Sequence, residues 1–143
     1  MFRWLKKLLS KPRFKEVLWV ASGGDIVIRY EGNGSFVKGD WSDFEKIAAR
    51  SDLVFYHTHP PRSTELSQTD RRNMESVRMA LAHDYIFVLV TEDRDGNRVE
   101  KMYRVSYSPK DRKVSIIAGI SPQDFAQINS DVIRNAWKAS TKV

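Results

Sequence analysis

The run His57-Thr-His-Pro-Pro-Arg-Ser-Thr-Glu-Leu-Ser-Gln-Thr-Asp70 places two imidazoles and a carboxylate where they can act together. Side chains alternate across an extended segment, so His57 and His59, two residues apart, project the same way. Asp70 stands eleven residues after His59, far enough for a loop to return its carboxylate to the imidazoles. Two neutral nitrogens and one carboxylate oxygen, with a fourth position left to water, is the ligand pattern of a catalytic zinc rather than a structural one. The chain has no cysteine, which excludes thiolate-rich structural sites. These residue types at this spacing point to hydrolysis by a metal-activated water, whose pKa zinc lowers from about 16 towards about 7.

The spacing resembles a known signature. His-x-His-Pro at His57–Pro60, then Ser67, then two residues and Asp70, is similar to the motif of the JAMM (MPN+) zinc isopeptidases. That family also carries a glutamate upstream, at the start of a strand. Glu16-Val-Leu-Trp-Val-Ala-Ser-Gly23 has this arrangement, although Glu31 and Glu45 also lie upstream of the histidines. The resemblance spans roughly residues 12–118. Position 58 is Thr where Ser is common, and Leu66 precedes Ser67 where many stand-alone prokaryotic relatives have Pro.

The resemblance implies one catalytic zinc held by His57, His59 and Asp70. Glu16 would take the proton from the water and hand it to the leaving amine. Ser67 would hydrogen-bond the tetrahedral oxyanion or the water. It implies cleavage after the C-terminal glycine of a ubiquitin-like protein. The biological setting would be deconjugation, precursor or sulfur-carrier processing, or a bacterial antiphage conjugation system. Two other roles occur among relatives: a non-catalytic MPN-fold scaffold or binding module, and a RadC-like DNA-associated protein. Taken singly, each residue also has an ordinary explanation. Ser67-x-x-Asp70 alone is a helix N-cap with an acid in its first turn, and Glu16 alone is a charge flanking a strand.

The remainder of the chain must position these groups. Its 143 residues make one domain large enough to bury a sizeable core. The net charge of +6 is confined to residues 1–15, where Arg3, Lys6, Lys7, Lys11, Arg13 and Lys15 face no acid. The body is therefore neutral, which argues against a broad nucleic-acid-binding face. No apolar run is long enough to span a membrane, and the first residues are too broken by Lys and Arg for a signal peptide. Absence of cysteine fits a reducing compartment, and a cytoplasmic location is the expectation. The sequence sets no oligomeric state.

The expected organisation is a basic N-terminal helix or arm over 1–15, a catalytic core over 16–118 and a C-terminal helix over 119–143. In the arm, Phe2, Leu5 and Leu9 share one side at helical spacing, for packing on the domain or for touching a partner or membrane surface. Strands are expected at Val17–Ser22 and Asp25–Tyr30 around a Gly23-Gly24 turn, and at Ser35–Lys38. A Ser42-x-x-Glu45 capping box should open a helix ending near Arg50. Leu53–Tyr56 is read as the strand that delivers the histidines, stopped by Pro60-Pro61. A helix from Ser67 to about His83 follows, then strands Tyr85–Thr91, Val99–Tyr107 and Lys113–Ala118. Ser121-Pro122 should start a last helix with Phe125, Ile128, Val132, Ala136 and Trp137 on its apolar stripe. The fold class is α/β (α+β): a mixed sheet flanked by helices in which hairpins outnumber crossovers, of the MPN/JAB kind that the resemblance implies.

Overall fold

The structure is a computed structural model, described for residues 14–32, 41–81 and 83–141. The expected strand Ser35–Lys38 and the arm up to residue 13 lie outside the described residues. Among the described residues, six strands form one sheet: β1 (Val17–Ser22), β2 (Asp25–Glu31), β3 (Leu53–Thr58), β4 (Tyr85–Glu92), β5 (Arg98–Ser108) and β6 (Lys113–Ala118). Their spatial order is β2-β1-β3-β4-β5-β6. Only β3 and β4 pair in parallel. The other neighbours are antiparallel. A parallel pair cannot be closed by a tight turn, and the crossover between β3 and β4 carries α2 (Gln68–Ala80). That crossover is also the segment from His59 to Asp70, so the one topological necessity of the sheet returns the carboxylate to the histidines.

Helices cover both faces. α1 (Trp41–Ile47) and α2 share a cluster with Val20, Phe55, Phe87 and Leu89, to which Phe44 and Met74 contribute. On the other face, Val132, Ile133 and Ala136 of α4 (Ser130–Thr141) pack on Val17, Val54, Tyr56 and Val88. Every residue of β3 is buried, as expected of a central strand covered on both sides. Alternation along β3 assigns Phe55 and His57 to the α2 face and Tyr56 and Thr58 to the α4 face.

The β1–β2 connection is Gly23-Gly24, both with positive φ (59° and 87°), the backbone a two-residue hairpin requires and β-carbons resist. A bulge at Val20/Ala21 shifts the β1–β2 register.

Several element boundaries depart from expectation. α1 begins at Trp41, so Ser42 lies inside its first turn and is not its N-cap, and the helix stops at Ile47 rather than near Arg50. α2 ends at Ala80, with Leu81 as its extended C-cap. The single C-terminal helix is two. Ser121 Oγ accepts from Asp124 N–H and starts the short α3 (Pro122–Phe125). Asn129 Oδ1 then accepts from Asp131 and Val132 N–H and starts α4. An Asn side chain competes with the helix for its own backbone, and that competition interrupts the continuous stripe. Phe125 falls on the wrong side of the break and is 61% exposed.

Candidate functional site

Glu16 precedes β1, His57 and Thr58 end β3, and His59 follows directly. Leu18 of β1 pairs with His57 of β3, so Glu16, two residues back, lies on the same face as both histidines. His59 N–H donates to Val90 O at 2.9 Å and Thr91 Oγ1 donates to Pro60 O at 3.0 Å, tying the exit of β3 to β4. Ser63 N–H then closes a turn on Pro60 O, with Arg62 at a φ of 72°. At the start of α2, Ser67 Oγ accepts from Asp70 N–H at 3.0 Å, and Asp70 Oδ2 accepts from Ser67 N–H at 3.1 Å. This reciprocal capping box is the ordinary role Ser67 and Asp70 have in any helix start. Here it also aims Asp70 at the histidines.

The four groups converge. His59 Nε2 and Asp70 Oδ2 are 2.7 Å apart, a hydrogen bond. Asp70 Oδ1 is 3.4 Å from His57 Nε2, and Glu16 Oε2 is 3.9 Å from the same nitrogen. Glu16, His57 and His59 are buried (4%, 6% and 4% exposed). Their candidate ligand atoms all lie within 4.8 Å of one another, so this group could hold a metal ion. His59 Nδ1 faces Ser63, 3.3 Å from both its carbonyl and its hydroxyl. A bond from Nδ1–H to that carbonyl turns Nε2 towards the centre, the way a second partner orients a ligating imidazole; a metal ion there would displace the Nε2 proton now shared with Asp70. Sequence reasoning missed Ser63. Its position four residues after His59, beyond the double proline, is the only signal that could have suggested it.

Electrostatics follow from burial. Desolvation raises the Glu16 pKa above the usual carboxylate range, opposed by His57 and His59, while the Asp70 charge raises it further. Burial works against a charge on His59, but its hydrogen bond with Asp70, the Asp70 charge and Glu16 outweigh that and raise its pKa. Asp70 is held well below its ordinary value: burial pushes it up, and its interactions with the two imidazoles pull it down further.

These residues fit a divalent cation. Glu16 Oε2 and His57 Nε2 are buried without a hydrogen-bond partner, and such orphans are costly unless something occupies the space between them. One divalent ion would neutralise the buried Glu16 carboxylate and the half-buried Asp70 carboxylate where they stand. Two ligands of a tetrahedral zinc at about 2.0–2.1 Å stand about 3.4 Å apart. The Asp70–His57 separation equals that spacing, and the Glu16–His57 separation exceeds it.

A cavity of about 380 Å³ opens beside the centre. His57, Ser67 and Asp70 form its polar end, and Leu18, Phe55 and Phe87 line its apolar part. The Ser67 hydroxyl uses an oxygen lone pair in the capping box, which leaves its proton free to donate there. All five expected site residues, Glu16, His57, His59, Ser67 and Asp70, are therefore brought to one place. The other two upstream glutamates are elsewhere: Glu31 pairs with Arg29 on the surface, and Glu45 is exposed. His83 Nδ1 lies 2.9 Å from Asp84 O beyond the end of α2 and takes no part in the cluster.

Among known proteins, no family model matches the chain and no curated sequence is a match. No helix among the described residues is long and apolar enough to cross a membrane.

Proposed function

We propose that this chain is a zinc-dependent peptidase of the JAMM type, which hydrolyses the amide or isopeptide bond after the C-terminal glycine of a ubiquitin-like protein. The observation that carries this reading is the convergence of Glu16, His57, His59 and Asp70 on one point at the end of β3, with two buried polar atoms unpartnered.

His57, His59 and Asp70 would hold the ion, and Glu16 would stand beside it. When bound, zinc supplies electrophilic activation of a water and of the scissile carbonyl. Glu16 accepts the proton of the attacking water and delivers it to the departing amine. A buried carboxylate whose pKa is raised suits both directions of that transfer. Ser67 donates its hydroxyl proton to the oxygen that gains charge as water adds to the carbonyl. Asp70 fixes His59 and the N-terminus of α2 together, so the hydroxyl and the imidazoles keep one relative position. The C–N bond breaks, and the products are a free glycine carboxylate and an amine.

A tail of small residues suits entry to such a half-buried centre, and an extended tail is bound through backbone hydrogen bonds along a strand. The test is a panel of ubiquitin-like proteins that carry a C-terminal extension or a lysine-linked adduct. Zinc-loaded wild type should cut after the terminal glycine, and Glu16→Gln and chelated protein should not. Zinc-loaded protein that cuts no member of the panel would favour the scaffold role.

A further inference from the structure

Three backbone groups around Glu16 are each held by a different element. Lys15 N–H donates to Ser140 O of α4 at 2.9 Å, and Gly32 N–H, just past β2, donates to Glu16 O at 2.7 Å. The third is Val17 N–H, and its acceptor is a side chain, the Thr58 hydroxyl at 2.9 Å. The β1–β3 ladder stops at the Leu18–His57 pair, so Thr58 replaces a backbone partner where strand pairing runs out. Thr58 Oγ1 in turn meets Ser140 Oγ, and Ser140 Oγ donates to Ala136 O at 2.9 Å.

A hydroxyl has one proton, and that sets the direction of the whole chain of bonds. A carbonyl only accepts, so the Ser140 proton goes to Ala136 O. Thr58 must then donate to Ser140, which leaves a Thr58 lone pair for Val17 N–H. The relay therefore runs from Val17 N–H through Thr58 and Ser140 to the backbone of α4. Val17, Thr58 and Ser140 are each 0% exposed, so bulk water does not compete for these bonds. Thr58 points to the α4 face, away from His57 and His59. Its hydroxyl does not face the metal centre, and it acts only on the peptide that joins Glu16 to Val17.

We propose that Thr58 and Ser140 form a positioning clamp, in which the C-terminal helix fixes the Glu16–Val17 peptide and so the aim of the Glu16 carboxylate; the catalytic part of this inference rests on the peptidase reading above. The clamp joins residues 82 positions apart in the chain. It gives α4, which contributes no group to the centre, control over the acid–base group. Thr58 and Ser140 are positioning residues in this scheme, since neither touches substrate.

The test compares Thr58→Val, which keeps the shape and removes the hydroxyl, with Thr58→Ser, which keeps the hydroxyl. Amide hydrogen exchange at Val17, zinc affinity and steady-state kinetics on a ubiquitin-like fusion are read side by side. In Thr58→Val, Val17 should exchange at least about fivefold faster, since a lost hydrogen bond is worth about that factor. Its kcat should fall about tenfold or more, because small misplacements of an acid–base group are costly. KM and zinc affinity should stay within about twofold, and Thr58→Ser should match wild type throughout. Wild-type kcat beside fast Val17 exchange would overturn the proposal, as would zinc affinity falling in step with kcat. Should Thr58→Val not fold, Ser140→Ala decides: a smaller fall in kcat at unchanged zinc affinity upholds the clamp, and wild-type kinetics overturn it. A wild type that cuts no ubiquitin-like fusion sinks the peptidase reading, not the clamp. Val17 exchange then decides alone, upholding the clamp if accelerated in Thr58→Val and overturning it if unchanged.

Discussion

Replacing Asp70 by Asn and Glu16 by Gln, one at a time, separates the two carboxylates that approach the same imidazole. Both changes keep side-chain shape and remove a charge. Asn at position 70 still offers an oxygen to Ser67 N–H, so α2 keeps its cap. Asp70 Oδ1 stands 3.4 Å from His57 Nε2, the separation of two ligands on one tetrahedral zinc, whereas Glu16 Oε2 stands at 3.9 Å. The proposed function therefore takes Asp70 as a ligand and Glu16 as an outer neighbour. Altering an outer partner costs about 10–100-fold in metal affinity, so losing a ligand should exceed the upper end of that range. Asp70→Asn should therefore weaken zinc by more than about 100-fold, or about 2.7 kcal/mol, and Glu16→Gln, whose Oε2 hydrogen-bonds to no ligand, by about tenfold, the lower end of that range. Competition against a chromophoric chelator near neutral pH measures both, with circular dichroism to confirm the fold. A Glu16→Gln protein that loses zinc more severely than Asp70→Asn would refute the assignment and make Glu16, His57 and His59 the ligands.

Two further outcomes follow from groups away from the centre. Tyr56 is fully buried, and its hydroxyl accepts from Asn129 N–H at 2.9 Å at the start of α4; Tyr56→Phe should cost about 1 kcal/mol, a fall of about 3 °C in Tm by calorimetry. Burial raises the pKa of Tyr56, opposed by its bond from Asn129, and raises that of Tyr85 above the ordinary tyrosine range, opposed by Arg78. A raised native pKa means stability that is complete below the unfolded value of about 10 and is lost as pH rises beyond it. Tyrosinate absorbance of the native protein should therefore be the same in wild type, Tyr56→Phe and Tyr85→Phe until unfolding begins, and ionisation of either ring in folded protein would contradict the burial argument.

Much of the site was legible because it depends on local rules. Alternation along a strand places His57 and His59 together whatever the fold, and Ser67-x-x-Asp70 announces a helix start that returns the carboxylate. The parallel β3–β4 pair then makes that return obligatory. Glu16 was harder to choose from three upstream glutamates, and only its burial beside His57 separates it from Glu31 and Glu45. The break at Asn129 was hidden within a helical stripe, since a capping Asn and an interior Asn look alike in sequence. The Thr58–Ser140 contact could not be read at all. No periodicity relates residues so far apart, and a buried hydroxyl pair leaves no mark on composition. Arg62 is similar: a positive φ at a non-glycine residue is set by the turn from Pro60 to Ser63, not by its own preference.

The most direct measurement takes one ubiquitin-like protein with a short C-terminal extension and follows its intact mass. Metal-stripped protein, the same protein reloaded with zinc, and zinc-loaded Glu16→Gln are compared in water enriched in oxygen-18. Only the reloaded wild type should release a product that ends at the terminal glycine with one oxygen-18 in its new carboxylate. Cleavage at another position, cleavage that persists without metal, or full turnover in Glu16→Gln would contradict a zinc centre served by Glu16.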